Sequence, residues 1–163
     1  MKMKVNPFRT KLVEKLTDPI ADASGNVSYF FEYEASDHEE WTELAAVFDM
    51  FKVNSIKVTW YANDPTNTGL RGLVAQHDPE DIQGTLSAID LDAIISEERL
   101  PKAINNANKN IVLKVDILKK EWYIMGTEST TKGSQVQISL AGKRLKVSAA
   151  AGFILVEWDI TFK

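Results

Sequence analysis

Side chains able to do chemistry are few and scattered. The sequence holds two histidines, and neither stands in a recognised catalytic or ligand spacing. His38 falls in the first turn of an expected helix, where a polar residue faces solvent. His77 opens His77-Asp78-Pro79-Glu80-Asp81, in which several oxygen and nitrogen donors crowd one turn. The run lacks the Asp-x-Asp-x-Asp-Gly spacing of a calcium loop, and neighbouring loop residues seldom converge on one ion. A solvated turn is the simpler reading, and a calcium ion on Asp78 and Asp81 would be shared with a second subunit. Asp90 and Asp92 read as a helix cap and a first-turn charge. Acidic residues are plentiful, yet no pair marks itself as the carboxylates of a glycosidase. Gly69-Leu70-Arg71-Gly72 lacks the spacing of a phosphate-binding loop, and no Gly-x-Ser-x-Gly occurs. With no cysteine, thiolate metal sites, cysteine nucleophiles and disulfides are excluded. No enzyme is expected.

Charge is more informative. The net charge of -4 hides a basic start, in which Lys2, Lys4, Arg9, Lys11 and Lys15 stand against Glu14 alone. From Leu16 to Phe51 there is no Lys or Arg, while Asp18, Asp22, Glu32, Glu34, Asp37, Glu39, Glu40, Glu43 and Asp49 accumulate. Residues 1–15 therefore read as a short basic arm on a body spanning 16–163. Those five cations could neutralise phosphates, but an acidic body repels a polynucleotide, so the contact should be weak, local and salt-dependent. Lys114, Arg144 and Lys146 fall on polar faces of expected strands, where they are either solvated or meet nucleic acid or the acidic run of a neighbouring copy. Most aromatics fall on apolar faces; Phe30 and Tyr61 are the candidates for a subunit interface, with Glu39, Glu40 and Glu43 as its acidic part.

Elements to position these residues are mainly strands. Period-two alternation runs through Phe8 to Leu16, Val27 to Glu34, Ser55 to Tyr61, Leu70 to Gln76, Ile111 to Ile117, Trp122 to Met125, Val136 to Leu140, Leu145 to Ala149 and Ile154 to Phe162. Trp41, Leu44, Ala45, Phe48 and Phe51 recur at helical spacing, which predicts a helix over 37–50 with Ser36–Glu39 or Asp37–Glu40 as its capping box. A weaker helix is expected over 91–99, capped by Asp90 and stopped by Pro101. At 163 residues, 18.3 kDa and 44% hydrophobic, the chain suits one all-β domain, a sandwich or barrel. It has no apolar run of signal-peptide or membrane-span length, so a soluble, non-secreted protein with no membrane contact is expected.

The order of these elements resembles a known group. Gly25 to Tyr33, then the helix Trp41 to Phe51, then Lys52 to Trp60 is similar to the single jelly-roll capsid proteins of small icosahedral viruses, both the circular single-stranded DNA group and the tombusvirus-like group. Leu44, Phe48-Asp49, Phe51, Val53 and Ile56-x-Val58-x-Trp60 stand where that family has its strand–helix–strand signature. Leu73 to Asp81 and the closing Gly152 to Phe162 look like its later strand, acidic loop and final strand. The resemblance implies an eight-stranded antiparallel jelly-roll sandwich with one or two short helices in connections. It also implies a viral coat protein without catalysis, self-assembling in sixty copies or a multiple into an icosahedral shell around a nucleic-acid genome. Virion localisation, with assembly inside the host cell, follows from it; so does no cofactor beyond calcium at subunit interfaces. The family usually carries a long arginine-rich arm before the jelly roll; here only the basic segment ending at Lys15 takes that place. A carbohydrate-binding β-sandwich module is the alternative.

Overall fold

Apolar residues at every second position make strands that are dry on one face, and two sheets of such strands bury those faces against each other. The computed structural model describes residues 6–77, 87–117, 120–125 and 133–163. Its strands are β1 (Phe8–Lys15), β2 (Val27–Tyr33), β3 (Met50–Tyr61), β4 (Leu70–His77), β5 (Lys102–Asn106), β6 (Ile111–Val115), β7 (Tyr123–Ile124), β8 (Val136–Lys143) and β9 (Phe153–Phe162). Two short helices, α1 (Trp41–Val47) and α2 (Leu91–Ser96), sit in the connections. One sheet runs β1-β9-β3-β6 with β7 attached to β3, and the other runs β2-β8-β4-β5. All pairings are antiparallel, and the chain changes sheet at almost every connection. This is a jelly roll of two four-stranded layers, with the two-residue β7 as an addition.

The core follows the alternation. On β9, Ile154, Val156, Trp158, Ile160 and Phe162 are fully buried while the residues between them are half-exposed. Phe51, Val53, Ile56, Val58 and Trp60 of β3 meet them from the adjacent strand, and a bulge between Val53 and Ser55 keeps the inward phase. Each such side chain contributes about 1.5–3 kcal/mol of burial. Both central indoles find an acceptor: Trp60 donates to the Ala151 carbonyl at 2.8 Å and Trp158 to that of Ser134 at 3.0 Å.

Several expectations change. The helix expected over 37–50 is a 3-10 turn (Ala35–Asp37) followed by α1, because the chain is already extended at Phe48 and Met50 opens β3. The capping box is Glu34–Asp37, two residues before Ser36–Glu39, with the Glu34 N–H donating to Asp37 Oδ2 at 3.1 Å. Helix α2 begins as expected, the Asp90 side chain accepting from the Ala93 N–H at 2.8 Å, but ends at Ser96. Residues 145–149 are not a strand: Arg144 and Ser148 take positive φ (59° and 51°) and fold the segment into a loop that tucks Leu145 inward. An unexpected strand, β5, lies on the edge of its sheet. The boundary expected at residue 15 falls inside the sandwich, since Phe8–Lys15 pair with β9 along their whole length.

Candidate assembly and nucleic-acid surfaces

The outward side of the five-stranded sheet is built by the residues that alternate with the core. It presents Arg9, Lys11 and Lys15 from β1, Glu157 and Asp159 from β9, Lys52 and Lys57 from β3, and Lys114 from β6. Arg9 grips Asp159 with both branches, Nε to Oδ1 at 2.7 Å and Nη2 to Oδ2 at 2.6 Å. That grip holds the Asp159 carboxyl below the usual aspartate range. Lys57 reaches Glu157 at 2.7 Å, and hydrogen bonding to that carboxylate raises the Lys57 ammonium above its ordinary value. Lys11, Lys52, Lys114 and Lys163 have no ion pair among the described residues. Where β3 bulges, a groove of about 260 Å3 opens, lined by Lys11, Ser55, Lys57, Lys114, Glu157 and Asp159.

Aromatic rings lie at both ends of this face. At one end the Trp122 ring carries two ammonium groups, Lys163 at 4.1 Å and Lys52 at 5.1 Å from its centroid. At the other, Tyr61 stacks on Phe153 with centroids 4.7 Å apart and planes within 11°, and Lys15 sits 5.3 Å from the Phe153 ring. All three rings are half-buried.

Acidic residues gather elsewhere. Glu39, Glu40 and Glu43 are exposed on α1 and the turn before it, and α1 closes one end of the sandwich by packing Trp41 against Phe51 and Phe162. His38 is half-buried rather than solvent-facing: Nδ1 accepts from the Glu40 N–H at 3.2 Å while Nε2 donates to the Val13 carbonyl at 3.1 Å, tying the turn to β1. Glu34 nearby is pushed up by burial. On the outer side of the four-stranded sheet, α2 lies over Gly72, where a Cβ would come within 2.8 Å of Leu91. Beside it runs a polar row in which Gln76 donates to Gln137 and Gln137 to Glu32, each at 2.7 Å. Phe30 is half-buried on this same outer side, paired with Ser139.

Sequence reasoning missed Arg71. It is 1% exposed, its guanidinium lies 4.6 Å from the Trp60 ring centroid, and it donates to the carbonyls of Tyr61, Ala151 and Lys109. Burial pushes its pKa down to about 10. The signal was available, since β4 alternation puts 71, 73, 75 and 77 on one side, but a cation at such a position reads as a surface residue. The same phase turns His77 inward, 1% exposed with Nε2 2.8 Å from the Gly133 carbonyl.

The expected residues thus divide. Arg9, Lys11 and Lys15 share one sheet face, and Glu39, Glu40 and Glu43 share α1 and its lead-in. Phe30 and Tyr61 lie on opposite outer faces and are not brought together. Lys114 stands on β6, whereas Arg144 and Lys146 lie in the β8–β9 loop. Lys2, Lys4, Asp78 and Asp81 lie outside the described residues. Among the described residues no group of three or more His, Asp or Glu side chains is placed to hold a metal ion.

No family model matches the chain, and no curated protein does. Solved structures match. The X-ray structure of Melon necrotic spot virus aligns with a TM-score of 0.59 at 19% identity, over 94% of this chain and 55% of that one. The chain therefore spans about half the length of that viral chain. A virus-like particle of the giant freshwater prawn Macrobrachium rosenbergii nodavirus aligns at 0.63 and 13% identity, over 99% and 86%. Mud crab tombus-like virus aligns at 0.65 and 17% identity, over 99% and 90%. The sandwich is the jelly roll of these viral chains.

Proposed function

We propose that this chain is the coat protein of a small icosahedral virus, a structural subunit whose copies close into a shell around a nucleic-acid genome. The observation that carries this reading is coverage: nearly the whole described sandwich aligns with chains of virus particles, one of them a virus-like particle. Closure needs the same surfaces used repeatedly, and the acidic α1 region facing basic groups of a neighbour would supply steering and register, with Phe30 at an apolar contact. Arg9, Lys11 and Lys15, continued by Lys2 and Lys4, would touch the genome weakly and in a salt-dependent way. Calcium, if used, would draw ligands from Asp78 and Asp81 together with a second copy. Such a subunit resides in the virion and assembles inside the host cell.

Size tests the reading. Purified chain examined by size-exclusion chromatography and negative-stain microscopy should form closed particles far larger than 18.3 kDa. A stable monomer across salt, pH and calcium conditions overturns it.

A further inference from the structure

We propose that the outer face of the five-stranded sheet is a track for single-stranded nucleic acid, with Lys11, Lys57 and Lys114 receiving phosphate in the central groove and bases stacking on Trp122 and on the Tyr61–Phe153 pair. This deepens the shell reading by placing the polymer on the folded sheet rather than on a preceding arm.

Charge is the first ground. Lys57 and Lys114 stand directly opposite on adjacent strands, a like-charge pairing that destabilises a sheet unless an anion lies near. Glu157 pairs with Lys57, and Asp159, opposite Lys11, is gripped by Arg9, so the three groove lysines face two carboxylates that already have partners and the groove keeps surplus positive charge. Phosphate oxygens are the anions such a groove takes from a polynucleotide. Aromatic placement is the second. Lys52, beside Trp122, and Tyr61 are both on β3, about 30 Å apart at roughly 3.3 Å per residue, with the groove between them. A cationic strip flanked by half-buried rings is the arrangement that binds single strands, because an unpaired base can stack on a ring while its phosphate meets a lysine. A duplex keeps its bases stacked on each other and has no use for the rings. The acidic region of another copy would satisfy the lysines but leave the rings idle.

Trp122 supplies the readout. The other tryptophans, Trp41, Trp60 and Trp158, are 6%, 0% and 0% exposed, so a base stacked on the surface quenches Trp122 alone. Full-length protein titrated with a short single-stranded oligothymidylate should lose part of its tryptophan fluorescence. Trp122→Phe should abolish that quenching, and Trp122→Ala should weaken binding roughly tenfold by fluorescence anisotropy. Lys11→Gln combined with Lys114→Gln should lower the slope of log affinity against log salt by about 1.4, about 0.7 for each lost phosphate contact. Arg144→Gln with Lys146→Gln, off this face, should change neither. Quenching that survives Trp122→Phe, equal weakening by the Arg144/Lys146 pair, or displacement of the oligonucleotide by a peptide of residues 34–49 overturns the track. Particles that form while Trp122 stays unquenched overturn the track and leave the shell reading standing. Trp122-dependent quenching by a chain that never assembles supports the track and overturns the shell.

Discussion

Arg71 lies as deep as the core tryptophans, and three carbonyls and an indole face take the place of a carboxylate. It ties the end of β3 to the β5–β6 turn and the β8–β9 loop, where Gly152 sits at φ +97° with room for no Cβ, which would fall 1.8 Å from the Tyr61 oxygen. Removing the guanidinium takes a donor from each of those carbonyls, of which Ala151 keeps the Trp60 indole, and opens a cavity over Trp60. Arg71→Ala should therefore lower stability by roughly 3 kcal/mol in urea unfolding. Arg71→Lys should recover only part of that, because an ammonium cannot replace a planar fork. At the exposed face, Asp159 has a lowered folded-state pKa. The folded protein thus binds fewer protons than the unfolded chain in the interval between the two values. Its contribution is complete above the unfolded value of about 3.9 and fades as pH falls through the lower folded one. Thermal melting followed from pH 5 to pH 2 should show Asp159→Asn losing part of the wild-type decline.

Elements differ in how plainly they are written in the chain. Strands with one dry face announce themselves by alternation, which is strict along β9 and holds in β3 from Ser55 onward, past the bulge after Val53. Strand β5 does not: Lys-Ala-Ile-Asn-Asn at a sheet edge buries nothing fully, so it carries almost no apolar signal. Leu145, Val147 and Ala149 alternate well enough to imitate a strand, yet left-handed backbone at Arg144 and Ser148 breaks it, and residue type at those positions gives no warning. The helical stripe ending at Phe51 was real as an apolar surface, but Phe48 and Phe51 reach the core from extended backbone. The basic stretch was equally legible as charge and illegible as place, since Arg9, Lys11 and Lys15 become surface only once β1 pairs with β9. Helix α2 depends on a missing side chain beneath it. Gly72→Val should push α2 off the sheet at a cost of about 1–3 kcal/mol, seen as faster hydrogen exchange at the Ile94 amide with little change in β9.

Among the described residues the outer side of the five-stranded sheet carries a surplus of cations and the α1 region a cluster of carboxylates. With the sheet face given to nucleic acid, the α1 carboxylates would meet basic groups elsewhere on a neighbour, and such contacts are screened over about 10 Å at 0.1 M salt. Replacing Glu39, Glu40 and Glu43 together by Gln should slow assembly at low salt and flatten its salt dependence, measured by light scattering, while leaving the melting temperature almost unchanged.

Strand β9 lies between β1 and β3, and the Arg9–Asp159 pair joins positions 150 residues apart in sequence. During synthesis the ribosome must therefore release nearly all of this domain before its five-stranded layer has a middle. A half-made chain offers two unmatched strand edges, one on β1 and one on β3, and such late long-range pairing is what makes folding slow and leaves open edges exposed to misassociation.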